Sequence, residues 1–271
     1  MKCVADPLNE KAHEVLPGLI WKYPNRVLLV TTKACPAQCS FCFRQNLYAD
    51  NFQPASNQEI VDFVKKHQEI REFIFSGGEP LLEPEKILKL TKSLGKINHL
   101  KLFRLHTRLP ISSPKTIPFK TLEKLVTLYQ KPWYLIIHVN SVGELNKKES
   151  ATALWKLRQQ GFILLSHTVF LKGINDSEEA LEKLFTRLIE LGVKPYYIFH
   201  CDHLKHTTKF VVPLKKEIAI MTKLRPKISG LAYPLHVIDS PTGNGKIPVP
   251  TDFWEFNPKE YLDFQKKKCQ T

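Results

Sequence analysis

"RVLLVTTKACPAQCSFCFRQ", Arg26 to Gln45, runs from an apolar, β-branched stretch straight into Cys35, Cys39 and Cys42, half of the six cysteines in the chain. Strands that end in chemically loaded loops are the mark of parallel α/β folds, which assemble their sites at carboxyl ends. The pattern repeats. "EFIF" (72–75) leads into "SGGEP" (76–80), and "LKLFRL" (100–105) ends in "RLHTR" (104–108). "WYLIIHV" (133–139) carries His138 and is followed by Asn140, and "FILLSHTVF" (162–170) comes next. "PYYIF" (195–199) precedes "HCDH" (200–203), and "YPLHVI" (233–238) precedes "DSPTGNGK" (239–246). Seven strands are predicted, several continuously hydrophobic as strands covered on both faces are.

Helical signals fill the gaps. Ser56 with Glu59, Asn146 with Glu149 and Asp176 with Glu179 have capping-box spacing, and Leu181, Leu184, Phe185 and Leu188 trace one apolar face before Gly192. A β-α repeat predicts a parallel sheet, either open and doubly wound or a full or partial barrel.

The 271 residues, 43% of them hydrophobic, suffice for one large core. The first twenty residues lack an apolar h-region, and no later run approaches the ~18 apolar residues of a spanning helix. A soluble, cytoplasmic protein is expected, with no membrane partner. Six scattered cysteines then read as ligands rather than bridges, with Cys3, Cys201 and Cys269 standing alone. The +14 charge favours anionic partners, although the basic residues are dispersed, as on a merely solvated surface, and only "KKK" (266–268) is a run.

Structural zinc takes four protein ligands, commonly as two separated knuckles. Cys-x-x-x-Cys-x-x-Cys offers three in one loop. Three thiolates on a four-iron cluster leave one iron open to a substrate, a departure from four-cysteine clusters. Zinc or a redox loop remain the alternatives.

With Phe41 before the last cysteine and Ser-Gly-Gly-Glu-Pro after the second strand, this spacing resembles the radical S-adenosylmethionine (SAM) enzymes. The resemblance implies an α/β, parallel (β/α) partial barrel, and a [4Fe-4S] cluster on Cys35, Cys39 and Cys42 whose free iron is chelated by SAM. It also implies that Ser76, Gly77, Gly78 and Glu79 hold the methionine end, with Glu79 a candidate acceptor for its ammonium. The segments "YPNRVLLVTTKAC", "IFSGGEPLL", "LKGIND" (171–176), "KPYYIFHCD" (194–202) and "VIDSPTGNGKIPVP" (237–250) further resemble the lysine 2,3-aminomutase family, from about Tyr23 to Pro250. Residues 23–250 are therefore the expected catalytic domain, with a lead (1–22) and a tail (251–271).

Membership in that family would bring pyridoxal 5'-phosphate held by Lys246, with Lys22 and Arg26 at its phosphate. A lysine in that role must shed its proton, which partial burial or a neighbouring cation promotes. His138, Asn140 and Glu144 match a loop near the adenosyl group. Arg44 matches the arginine of the substrate carboxylate, and Asp202 and Asp239 the two carboxylates that take the ε-ammonium of L-lysine. Two carboxylates side by side are costly unless a cation lies between them. The implied reaction moves the α-amino group of lysine to its β-carbon, with an electron-donor protein as reductant. The compact length resembles the short relatives that make β-lysine for elongation factor P.

Some positions depart from the family. Lys22 replaces an arginine, His167 a glutamine near the cofactor phosphate, and Thr242 and Asn244 interrupt a glycine-rich stretch, all bearing on cofactor affinity. Ser177 stands where some members place a zinc-ligating cysteine, and their carboxyl-terminal cysteines have no counterpart, so no such zinc site is expected. Competing readings are an aminomutase for another basic amino acid, a radical SAM enzyme that modifies RNA, and a non-catalytic metal-binding protein. The charge suggests the second, but no appended RNA-binding module is evident.

Overall fold

The computed structural model describes residues 5–240 and 245–252, together with the backbone of two paired strands, Glu260–Leu262 and Lys268–Gln270. Thr242, Asn244 and Cys3 lie outside the described residues. One ten-stranded sheet follows chain order: β1 (Glu14–Leu16), β2 (Leu19–Tyr23), β3 (Arg26–Val30), β4 (Glu72–Ser76), β5 (Leu102–Thr107), β6 (Trp133–His138), β7 (Ile163–Val169), β8 (Lys194–Phe199), β9 (Leu235–Asp239) and β10 (Lys246–Pro248).

Strands β3 to β9 are parallel and coincide with the seven predicted runs. The antiparallel β1, β2 and β10 extend the two edges, so the boundary expected at residues 22/23 falls inside β2. The sheet stays open, yet its edges come close: a Cβ on Gly245 would lie 3.2 Å from Tyr23 Oη.

Helices α1 (Asn57–Lys66), α2 (Pro84–Leu94), α3 (Leu109–Ser112), α4 (Phe119–Leu128), α5 (Val142–Leu145), α6 (Lys148–Gln159), α7 (Glu178–Glu190) and α8 (Leu214–Leu224) form the crossovers. The Ser56/Glu59 capping box starts α1 as expected. The other two boxes do not form. Ser177 caps α7 because Asp176 instead accepts from Gly173 N and Lys216. Lys147 precedes α6 with no side-chain cap, while Ser141 and Glu144 box the short α5. Leu181, Leu184, Phe185 and Leu188 are all buried, and Gly192, at φ +73°, turns the chain out of α7.

Side chains alternate across each strand, so the register separates two faces. One face, with Val27, Leu29, Phe73, Phe75, Phe103, Leu105, Trp133, Leu135 and Ile137, belongs to the large apolar core shared with the helices. Phe103 and Trp133 stack there with centroids 4.8 Å apart. The opposite face carries Arg26, Glu72, Arg104, His106, His138, His167, Tyr197 and Asp239, aligned by the same ladder. Burial on both faces therefore does not mean apolar on both: the concave side is lined with groups that need partners.

Candidate active site

Residues 31–56, which carry the cysteines, contain no helix or strand. The first part of this loop is laced to the "SGGEP" loop: Thr31 N donates to Ser76 O (2.9 Å), Gly78 N to Thr32 O (2.6 Å) and Glu79 N to Ala34 O (2.8 Å). A Cβ at Gly78 would sit 2.2 Å from Ala34 O, and Gly77 has φ +137°. These glycines thus serve a close approach of two loop backbones. Glu79 accepts from Thr107 Oγ1 (2.7 Å), Arg108 N (2.9 Å) and Leu81 N (3.1 Å), so its carboxylate ties in the β5 loop. Burial keeps its pKa above the ordinary carboxylate range.

All three loop cysteines are free and half-buried. Burial holds the Cys35 and Cys42 thiols above their usual pKa. Arg108 donates to Cys39 Sγ and pairs with Glu144, giving the thiol group a cationic neighbour. His206 Nε2, from the β8 loop, lies 3.0 Å from Cys42 O. Among the described residues no three His, Cys, Asp or Glu side chains converge on a single-ion site. Three thiols spaced along one loop are the donor set that fits three corners of an iron–sulfur cube.

The concave face joins this loop to the far side of the sheet. Phe41 stacks on His138 (5.3 Å), His138 is paired with His167 in the β6/β7 ladder, and His167 meets Phe199 edge-on (5.0 Å). Lys246 Nζ lies 5.4 Å from the Phe199 centroid and 5.9 Å from that of Tyr197. The β7/β8 ladder slips by one residue between Ser166 and His167, bringing Tyr196 and Tyr197 beside His167 (5.9 and 5.6 Å). Such bulges re-aim side chains near sites. His106 packs 5.3 Å from His167.

His106, His138 and His167 each keep Nε2 buried without a partner, as does Asn140 with Nδ2. Burial depresses all three imidazoles, His138 to about 3, so they are neutral near neutral pH. Unpaired buried polar atoms are costly. Several around one concavity fit a polar ligand.

Lys246 and Asp239 are register partners across β9/β10, and Nζ donates to Oδ1 at 3.0 Å. Asp202 is pushed up to about 7 by burial and by Asp239, against His200 and Lys246, so the two carboxylates share one field with the lysine. Lys22 donates to Leu8 O (3.3 Å), and burial lowers its pKa, with Asp239, Lys246 and Glu10 among its charged neighbours. Arg26 covers the Tyr23 ring (3.6 Å) and bonds Asn25 Oδ1 (2.9 Å). Arg44, its side chain 13% exposed, packs against Glu10 and Ser76. Asn140 Oδ1 accepts from Val169 N (2.9 Å), fixing its amide across two strands. Cys201 is buried, its thiol pushed up to about 12 by burial and by Asp202.

The site residues anticipated from sequence therefore fall around one concave face and its rim. Glu10 joins them unannounced, and His106 and Arg108 join them from the quoted "RLHTR" without an assigned role. Arg108 and His106 sit at a strand's carboxyl end, which was a readable signal; Glu10 lies 34 positions from its partner, which was not.

The sequence matches the Radical SAM superfamily over residues 29–185. It is 35% identical to the L-lysine 2,3-aminomutase of Buchnera aphidicola, covering 90% of this chain and 72% of that one. Against the L-lysine 2,3-aminomutase of Escherichia coli the identity is 36%, with coverage of 84% and 67%. The corresponding protein of Clostridium subterminale is 33% identical over 90% of this chain and 59% of its own. The chain spans 59% to 72% of the length of these three relatives. Among solved structures, it resembles a radical SAM methyltransferase from Sphaerobacter thermophilus with a TM-score of 0.56 at 15% identity, covering 81% of this chain and 68% of that one. Methylornithine synthase gives 0.50 at 14% identity, with coverage of 78% and 63%.

Proposed function

This chain belongs to the lysine 2,3-aminomutase family within the radical SAM superfamily, and from that membership we propose that it moves the α-amino group of L-lysine to the β-carbon. The observation that supports the reading is the chain of contacts from Phe41 through His138, His167 and Phe199 to Lys246, which runs from the cysteine loop to the lysine along one face of the sheet.

Cys35, Cys39 and Cys42 would hold the cluster, which with SAM supplies a carbon radical, and Lys246 would hold pyridoxal phosphate, which supplies a conjugated electron sink. The unpartnered imidazoles, the Asn140 amide and the cations Lys22 and Arg26 fit groups of that polarity. The chain's own residues do the rest. Arg44 binds the lysine carboxylate, while Asp202 and Asp239 receive the ε-ammonium, relieving the repulsion between them. Asp239 also orients the Lys246 amine in the absence of substrate. Arg108 places a positive charge beside Cys39 Sγ.

An electron-donor protein, a cytoplasmic setting and delivery of β-lysine to elongation factor P complete the proposal, supported by likeness to the short relatives. The test is anaerobic turnover of the reconstituted protein with L-lysine. β-Lysine is expected from the wild type and none from Lys246→Ala or Cys42→Ser; a Lys246→Ala variant as active as wild type would refute the assignment.

A further inference from the structure

Arg44 is gripped from outside the catalytic segment. Its Nε and Nη2 donate to Glu10 Oε2 and Oε1 at 2.9 and 2.5 Å, and Nη1 donates to Ser76 Oγ at 2.9 Å. A guanidinium has five N–H donors, so one remains on each terminal nitrogen. Burial opposes the charge on Arg44, but the Glu10 carboxylate more than offsets it and holds the pKa above its ordinary value.

Glu10 can serve Arg44 in two ways. It can be a stand-in that a substrate carboxylate displaces, or a brace that stays while the substrate takes the remaining donors. Displacement would strand a carboxylate whose side chain is 6% exposed, with Asp202 among the acidic groups in its field. Unpairing a buried charge is the expensive event in such pairs. A substrate that adds to the free donors breaks nothing. A two-point hold also fixes the guanidinium plane, which bidentate carboxylate recognition requires. The segment bearing Glu10 is itself anchored, by Lys22 Nζ on Leu8 O (3.3 Å) and Lys11 N on Asp6 Oδ2 (2.9 Å).

We infer that Glu10 is a positioning residue: it holds Arg44 so that the two free N–H groups meet the carboxylate of a basic amino acid. This rests on the reading of Arg44 as the substrate-carboxylate arginine.

The test is titration of the full-length, reconstituted protein with L-lysine and with L-lysinamide, which lacks only the carboxylate. Glu10→Gln is expected to weaken L-lysine about tenfold, mid-range for coupled neighbours, and to leave L-lysinamide unchanged. Arg44→Lys should show the same selectivity more strongly. If Arg44→Lys discriminates but Glu10→Gln weakens both ligands alike, neither, or tightens L-lysine, the positioning role is overturned. If Arg44→Lys treats both ligands alike, the carboxylate reading of Arg44 fails and the inference with it. Should Glu10→Gln not fold, Ser76→Ala, which releases Nη1, carries the same expectation at about threefold, and equal effects on both ligands there overturn it.

Discussion

Asp202 carries a stability cost that the proposed function would put to use in binding. Its folded pKa of about 7 is raised by burial and Asp239, so the native state keeps a proton that the unfolded chain has lost. Stability therefore falls as pH rises from the ordinary carboxylate range to about 7. In the proposed function, by contrast, the ammonium of lysine is held by the charged form. Apparent affinity for L-lysine should then increase up to about tenfold per pH unit below the pKa and level off above it. KM measured from about pH 6 to 8 checks this. Asp202→Asn should flatten the profile and raise KM. Above pH 7 the same variant, assayed without substrate, should melt higher, by about 2–4 °C for each kcal/mol recovered; an unchanged melting temperature would mean that Asp202 carries no such penalty.

Among elements, the loops decide the chemistry while the strands decide the frame. Gly78→Ala would drive a Cβ into the Ala34 carbonyl, a backbone atom that cannot swing aside. About 1–3 kcal/mol of strain and loss of the laced cysteine loop are expected, read as a lower melting temperature and reduced iron per chain after reconstitution. Gly230→Ala, which meets nothing within 4 Å, should change neither. The seven parallel strands were legible because each is a dense apolar run between turn signals. The edge strands β1, β2 and β10 were not, being short and mixed in polarity. Helix starts slipped by a residue where two capping candidates adjoined: Asp176 found Lys216 and Gly173 N instead, a tertiary choice. In the site, the cysteines stood out by spacing, whereas Lys246 came only with the family resemblance. Glu10 could not be read, since its partner Arg44 lies 34 positions away.

At the scale of the whole molecule, one sheet faces an apolar core on one side and a polar concavity on the other, and the two should fail independently. Phe103 is fully buried on the core side, against Trp133 and Phe75. Phe103→Ala should cost about 3–5 kcal/mol of stability in a denaturant titration, while leaving the affinity of the folded protein for L-lysine unchanged. The concave side makes the stronger claim, that the cysteine loop and Lys246 serve one reaction across the Phe41 to Phe199 wall. The most direct measurement uses L-lysine deuterated at the β-carbon in anaerobic turnover, with mass analysis of the 5'-deoxyadenosine formed from SAM. Deuterium in that product is expected from the wild type, and its loss from Lys246→Ala. Undiminished 5'-deoxyadenosine without deuterium in the wild type would show that the two halves of the cavity do not meet on lysine.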